Sequence, residues 1–161
     1  MHKLRKISDA RYDEHRKGVF RKVHFLNVTR TWPYGDATIH AIYSSHVVEH
    51  LSLRGARRCF AESFRCLKTD GILRLAVPDL DKLIRTYQPQ HALDWATSFF
   101  EAKEPREKNM HHFMYNIESI SALLREAGFS NVTRYDYQQG NCPEVERLDN
   151  RPESLFVEAV K

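Results

Sequence analysis

Ala41-Ile-Tyr-Ser-Ser-His-Val-Val-Glu-His50 supports two readings, and the choice between them decides the fold. His46, Glu49 and His50 match H-x-x-E-H, a spacing in which two histidines bind zinc and the glutamate acts as base. That chemistry needs a helix presenting both histidines on one face, and a distant third ligand. Glu101, Glu104 and Glu118 are the candidates for that ligand. The flanks argue otherwise. Thr38 to Ser44 is β-rich and largely apolar, as expected of a strand covered on both faces. The helical stripe of Leu53, Ala56, Phe60, Phe64 and Leu67 begins only afterwards. The histidines therefore sit at the end of a strand, where open α/β sheets bind their ligands.

Outward from this point, strands and helices alternate. Residues 8–18 predict a polar helix, and Val19 to Val28 a strand. Thr29 to Asp36 reads as a loop, with turn residues Pro33 and Gly35. Lys68-Thr-Asp-Gly71 stops the helix, Ile72 to Val77 is a short apolar strand, and Pro78-Asp79 ends it. Asp79 or Asp81 can cap a helix reaching about Tyr87, and Pro89 to Ala102 offers another. Asn116 to Ala127 is amphipathic and closes at Gly128. Val132 to Tyr137 and Ser154 to Val160 are strands joined by the polar loop Gln138 to Glu153. With no helix between them, they are expected to pair antiparallel. The order is that of one α/β domain.

The 161 residues suit a single domain with one core. No run approaches the roughly 18 to 20 apolar residues that span a bilayer, and the charged start predicts no secretory leader. Three cysteines without metal spacing suit reduced thiols in the cytoplasm. Of the first 22 residues, Lys3, Arg5, Lys6, Arg11, Arg16, Lys17, Arg21 and Lys22 face only Asp9, Asp13 and Glu14. With no nucleic-acid motif, this basic segment (1–20) reads as a solvated face rather than a nucleic-acid surface.

Four stretches, in order and spacing, resemble the class I S-adenosylmethionine (SAM)-dependent methyltransferases, in particular their type 11 group. They are Asn27-Val-Thr-Arg-Thr-Trp-Pro-Tyr34, Ile42 to Leu51, Glu62 to Asp79, and Met114 to Phe129 taken with Glu153 to Lys161. The resemblance covers residues 21–161. It implies a Rossmann-like methyltransferase sheet, truncated at its N-terminal side, whose last strand is antiparallel. It further implies methyl transfer from SAM to an oxygen or nitrogen of a small molecule or glycan precursor.

By the same resemblance, His46, Glu49 and His50 are the catalytic candidates. Asn27, Ser44, Ser45 and His46 are the cofactor contacts, and Pro78, Asp79, His112 and Tyr115 the acceptor contacts. Asn27 stands where the family usually has an adenine-contacting Asp. The pair His111-His112 with Tyr115 is expected to form a lid, and no metal is expected. Alternatively, Glu49 and His50 only cap and brace the following helix, Asp79 is a helix cap, and Trp32 and Tyr34 plug the core.

The chain departs from the family at the cofactor side. Its six glycines, at 18, 35, 55, 71, 128 and 140, are never closer than 12 residues. No Gly-x-Gly loop is present to let backbone approach SAM. A non-catalytic, methyltransferase-derived binding domain is therefore the rival reading, and zinc hydrolysis through H-x-x-E-H a remote one. Loss of the first strands would also expose the 38–44 strand as a sheet edge. The N-terminal segment folding back, the 19–28 strand sliding into the gap, or a homodimer would each cover it.

Overall fold

Ile39–Ser45 forms strand β1, and Leu67–Val77 forms β2, which runs parallel to it. The computed structural model describes residues 24–100 and 110–161. The predicted helix at 8–18 and the first five residues of the predicted strand at 19–28 lie outside them. Asn131–Tyr135 (β3) and Leu155–Val160 (β4) complete a four-stranded sheet in the order β1-β2-β4-β3. Both pairings of β4 are antiparallel, as expected for the closing strands.

Three expectations need correction. Residues 24–28 are not a strand and do not extend the sheet beyond β1. Their Leu26 and Val28 pack on the core, while Phe25 is 94% exposed. β1 itself is half-buried rather than covered on both faces, because among the described residues no strand flanks its outer side. β2 starts five residues earlier than its apolar run suggests. The register jumps from Ile39↔Leu67 to Ala41↔Ile72, so Lys68 to Gly71 loop out within the strand.

Leu53–Cys66 (α1) begins where the Ser52 hydroxyl accepts from Gly55 N–H, an N-cap that satisfies one of the orphan donors. Its face carrying Ala56, Cys59, Phe60 and Ser63 is buried against the sheet. Leu80–Arg85 (α2) and Ala92–Phe100 (α3) follow β2, and Pro89–His91 is a 3-10 turn before α3. Ile117–Glu126 (α4) opens with a capping box between Asn116 and Ser119. It turns at Gly128, whose φ of +110° suits glycine. Arg57 of α1 reaches Glu126 of α4, and Phe64 meets Phe129 edge to face at 5.2 Å. Leu73, Leu75, Val157 and Ala159 complete this core from the sheet. Trp32 plugs it from the side and donates its indole N–H to Val28 O, whereas Tyr34 remains 43% exposed.

The opposite face of the sheet is organised by charge. Arg74 on β2 is fully buried and donates to Asp149 and Glu158. Glu158 also takes the N–H groups of Asn141 and Cys142, and Asp149 takes that of Gln138. The segment read as a polar loop thus folds over the sheet, with a short helix Val145–Leu148 (α5) inside it.

Candidate active site

His46 terminates β1 in a left-handed conformation, φ +51°, uncommon for a residue with a side chain. Its N–H donates to Ala76 O of β2, which holds the turn against the sheet. The imidazole is engaged at both nitrogens. Nε2 lies 3.0 Å from Ser154 Oγ, and Nδ1 lies 3.0 Å from Glu49 Oε1. Val48–His50 then forms a single 3-10 turn. The Glu49 carbonyl accepts from both His112 N–H (2.8 Å) and Phe113 N–H (3.1 Å), which binds the 110–113 segment to this turn.

The same clamp brings His111 beside His50, with ring centroids 5.0 Å apart. His50 Nδ1 faces Met110 O at 3.2 Å, and His111 Nδ1 faces Phe99 O at 2.9 Å. Glu49 is fully buried among them, and neither of its oxygens has a hydrogen-bond partner in line. The close approach of His46 Nδ1 is therefore a polar contact off the hydrogen-bond axis. Tyr115 is also fully buried with an unpartnered hydroxyl. Burial, then the charges of Glu49 and Cys59, push its pKa up to about 12.

Two cavities flank the His46 turn. One, of about 340 Å3, is lined by His46, Asp79, Lys82, Phe99, His111 and Glu153, among others. The other, of about 360 Å3, runs along β1, at the edge of the described sheet, between Trp32, Ser44, Ser45, Val47 and Phe60. The turn that ends β1 borders both, with Ser45 and Val47 in the lining of one and His46 in that of the other.

His46, Glu49 and His50 are thus brought together, but not on a helix face. His50 pairs with His111 rather than with His46, and Ser52 rather than Glu49 caps α1. Ser44 and Ser45 line the edge cavity, and Pro78 and Asp79 line the other. Asp79 is largely committed elsewhere. It caps α2 through the N–H groups of Asp81 and Lys82 and accepts from Arg134.

Other expected contacts are not where the sequence reading put them. Asn27 is exposed, its side chain closing a local turn onto Thr29. His112 is exposed and is not among the residues lining the cavity that His111 borders. Tyr115 is core rather than lid, because its segment pairs with Asp79 at the floor of the fold. Glu118 is exposed on α4, while Glu101 and Glu104 lie outside the described residues. Sequence reasoning missed Ser154, which carries no motif, and named His111 only as one of the His111-His112 lid pair.

A family model described as a methyltransferase domain matches residues 6–134. The chain belongs to this methyltransferase family. No curated protein sequence matches it. Among solved structures, the methyltransferase fold recurs in a SAM-dependent methyltransferase from Thermotoga maritima. That match has 17% identity and a TM-score of 0.58, covering 96% of this chain and 70% of that one. A SAM-dependent methyltransferase from Archaeoglobus fulgidus is similar at 16% identity and TM-score 0.56, over 86% of this chain and 66% of that one. The SAM-dependent methyltransferase SibL is similar at 20% identity and TM-score 0.57, over 94% of this chain. The chain spans only 39% of the length of SibL.

Such methyltransferases use SAM, and the edge cavity fits part of that group. Its apolar wall of Trp32, Val47 and Phe60 suits adenine, and the Ser44 and Ser45 hydroxyls suit polar atoms of the ribose or methionine. Among its described walls there is no carboxylate to take the ribose hydroxyls.

Proposed function

We propose that the chain transfers a methyl group from SAM to an oxygen of a small-molecule acceptor seated in the cavity of His46 and His111. The observation that carries this reading is the placement of His46. His46 lines the cavity suited to an acceptor, while its neighbours Ser45 and Val47 line the one suited to part of the cofactor. Ser44, Ser45, Trp32 and Val47 would hold SAM, which supplies a methyl group on a sulfonium.

An acceptor hydroxyl that takes the place of Ser154 Oγ at His46 Nε2 can pass its proton to the ring. Glu49, beside Nδ1, stabilises the imidazolium that forms. Lys82 and Pro78 on the cavity wall position the acceptor. The oxygen–carbon bond forms as the carbon–sulfur bond breaks, the electron pair returns to sulfur, and the acceptor's proton ends on His46. The three cysteines are unpaired, in keeping with a reducing cytoplasmic setting. No described helix is long and apolar enough to cross a membrane.

The test is transfer of labelled methyl from SAM to a panel of hydroxylated small molecules and sugar nucleotides by the wild-type chain and His46→Asn. A base in this position contributes about 10²–10⁴-fold. A loss of that size in kcat with little change in KM is expected. Equal rates in the two proteins refute the role of His46, and no transfer to any acceptor favours a non-catalytic binding domain.

A further inference from the structure

Glu49 is a buried carboxylate lacking adequate compensation. Its side chain has no exposure, and neither oxygen is hydrogen-bonded. Buried charges are costly enough that they are found paired or on metal ions. His46 Nδ1 approaches Oε1 alone, which leaves Oε2 unsupported.

On the far side stand His50 and His111, each with Nδ1 against a backbone carbonyl. A carbonyl only accepts, so in both rings Nδ1 carries a proton, and Nε2 is the nitrogen that a metal ion would take. Metal-binding histidines are oriented in this way, by a second hydrogen bond from the other ring nitrogen. One ligand atom from each of Glu49, His50 and His111 lies within 4.8 Å of the others. Bonds of about 2.0–2.2 Å at tetrahedral angles place ligand atoms roughly 3.4 Å apart, so small side-chain adjustments close the site.

We propose that Glu49, His50 and His111 form a binding site for a divalent first-row transition-metal ion, Zn2+ foremost, beneath the acceptor cavity. Two imidazoles and one carboxylate suit such ions. Mg2+ and Ca2+ favour all-oxygen shells. The set differs from the one H-x-x-E-H suggests, because His46 braces the carboxylate while His111 supplies the second ring. With three ligands among the described residues, a tetrahedral ion has a fourth position to fill, and His111 also lines the cavity wall. The ion can there polarise an acceptor oxygen. That role rests on the methyl-transfer reading, whereas the site itself does not.

The test uses the full chain, stripped with a chelator and titrated calorimetrically with Zn2+ and, for comparison, Mn2+ and Mg2+, without SAM. One Zn2+ per chain is expected, with Mg2+ far weaker. Glu49→Gln and His111→Asn, checked for folding by circular dichroism, are expected to bind at least roughly 10–100-fold more weakly. Exposed His91→Asn is expected to bind as the wild type does. Loading wild type with Co2+ needs no variant. Absorption typical of nitrogen and oxygen ligation supports the site, while a thiolate charge-transfer band places the ion on cysteine and overturns it. No saturable Zn2+ binding at millimolar ion, or equal binding in both ligand variants, likewise overturns it.

Discussion

Replacing Arg74 by Met would remove the cation from the buried network beneath the sheet while keeping an unbranched side chain. The guanidinium donates to Asp149 through Nε and Nη2, and to Glu158 through Nη1. Charge-assisted bonds are worth about 1.5–3 kcal/mol each. Three would sum to roughly 5–9 kcal/mol if they were additive, which bonds sharing one group are not. Desolvation of the guanidinium, relieved in the variant, offsets part of the loss. Breaking a buried pair from one side typically costs about 3–5 kcal/mol, and that is the expected loss.

For a chain of 161 residues, with an unfolding entropy of about 2.1 cal/mol/K per residue, this lowers Tm by roughly 9–15 °C. Urea unfolding followed by circular dichroism measures it. The triple variant Arg74→Met, Asp149→Asn, Glu158→Gln removes all three charges and is expected to recover part of the loss. A loss under about 1 kcal/mol in the single variant would refute the view that this network holds the 138–149 segment on the sheet.

Gly140 tests the same packing from the backbone. A Cβ there would stand 2.2 Å from Glu158 Oε1 at a φ of +145°, so Gly140→Ala is expected to cost more than about 1–3 kcal/mol in the same unfolding assay. A neutral result contradicts the packing. Burial pushes the Cys59 and Cys142 thiols up to about 11 from the ordinary 9.0. The folded state thus holds their protons more tightly than the unfolded state. Their contribution is complete below about pH 9 and is lost as pH rises from about 9 to 11. Both thiols are expected to resist alkylation at pH 8 until urea is added, read by mass spectrometry. Fast labelling of the folded protein contradicts their burial.

What the sequence made legible follows from how local each signal is. α1 and α4 were readable because their apolar stripes repeat within one turn and their caps, Ser52 and Asn116, are adjacent in sequence. β1 was readable from its composition, and its place at the edge of the described sheet from the missing first strands. Residues 24–28 misled because Phe25 and Leu26 carry β propensity, while a strand needs a ladder partner that 24–28 lack among the described residues. The Arg74 network was invisible because its members are about 75 and 84 residues apart and each reads alone as a surface charge. At the site, His46, Glu49 and His50 announced themselves by spacing. Ser154 and His111 reach them only through the fold, 108 and about 60 residues away. Tyr115 looked like a lid because a polar tip suggests a surface. Its ring fills the core all the same.

The most direct test of the central claim is calorimetric titration of the chain with S-adenosylhomocysteine, the product that a methyltransferase must release. One ligand per chain is expected, weakened when Ser44 and Ser45 are replaced by bulkier Val, since both line the edge cavity. Absence of binding at millimolar ligand, in a protein that is folded by circular dichroism, would contradict the proposed methyl transfer from SAM.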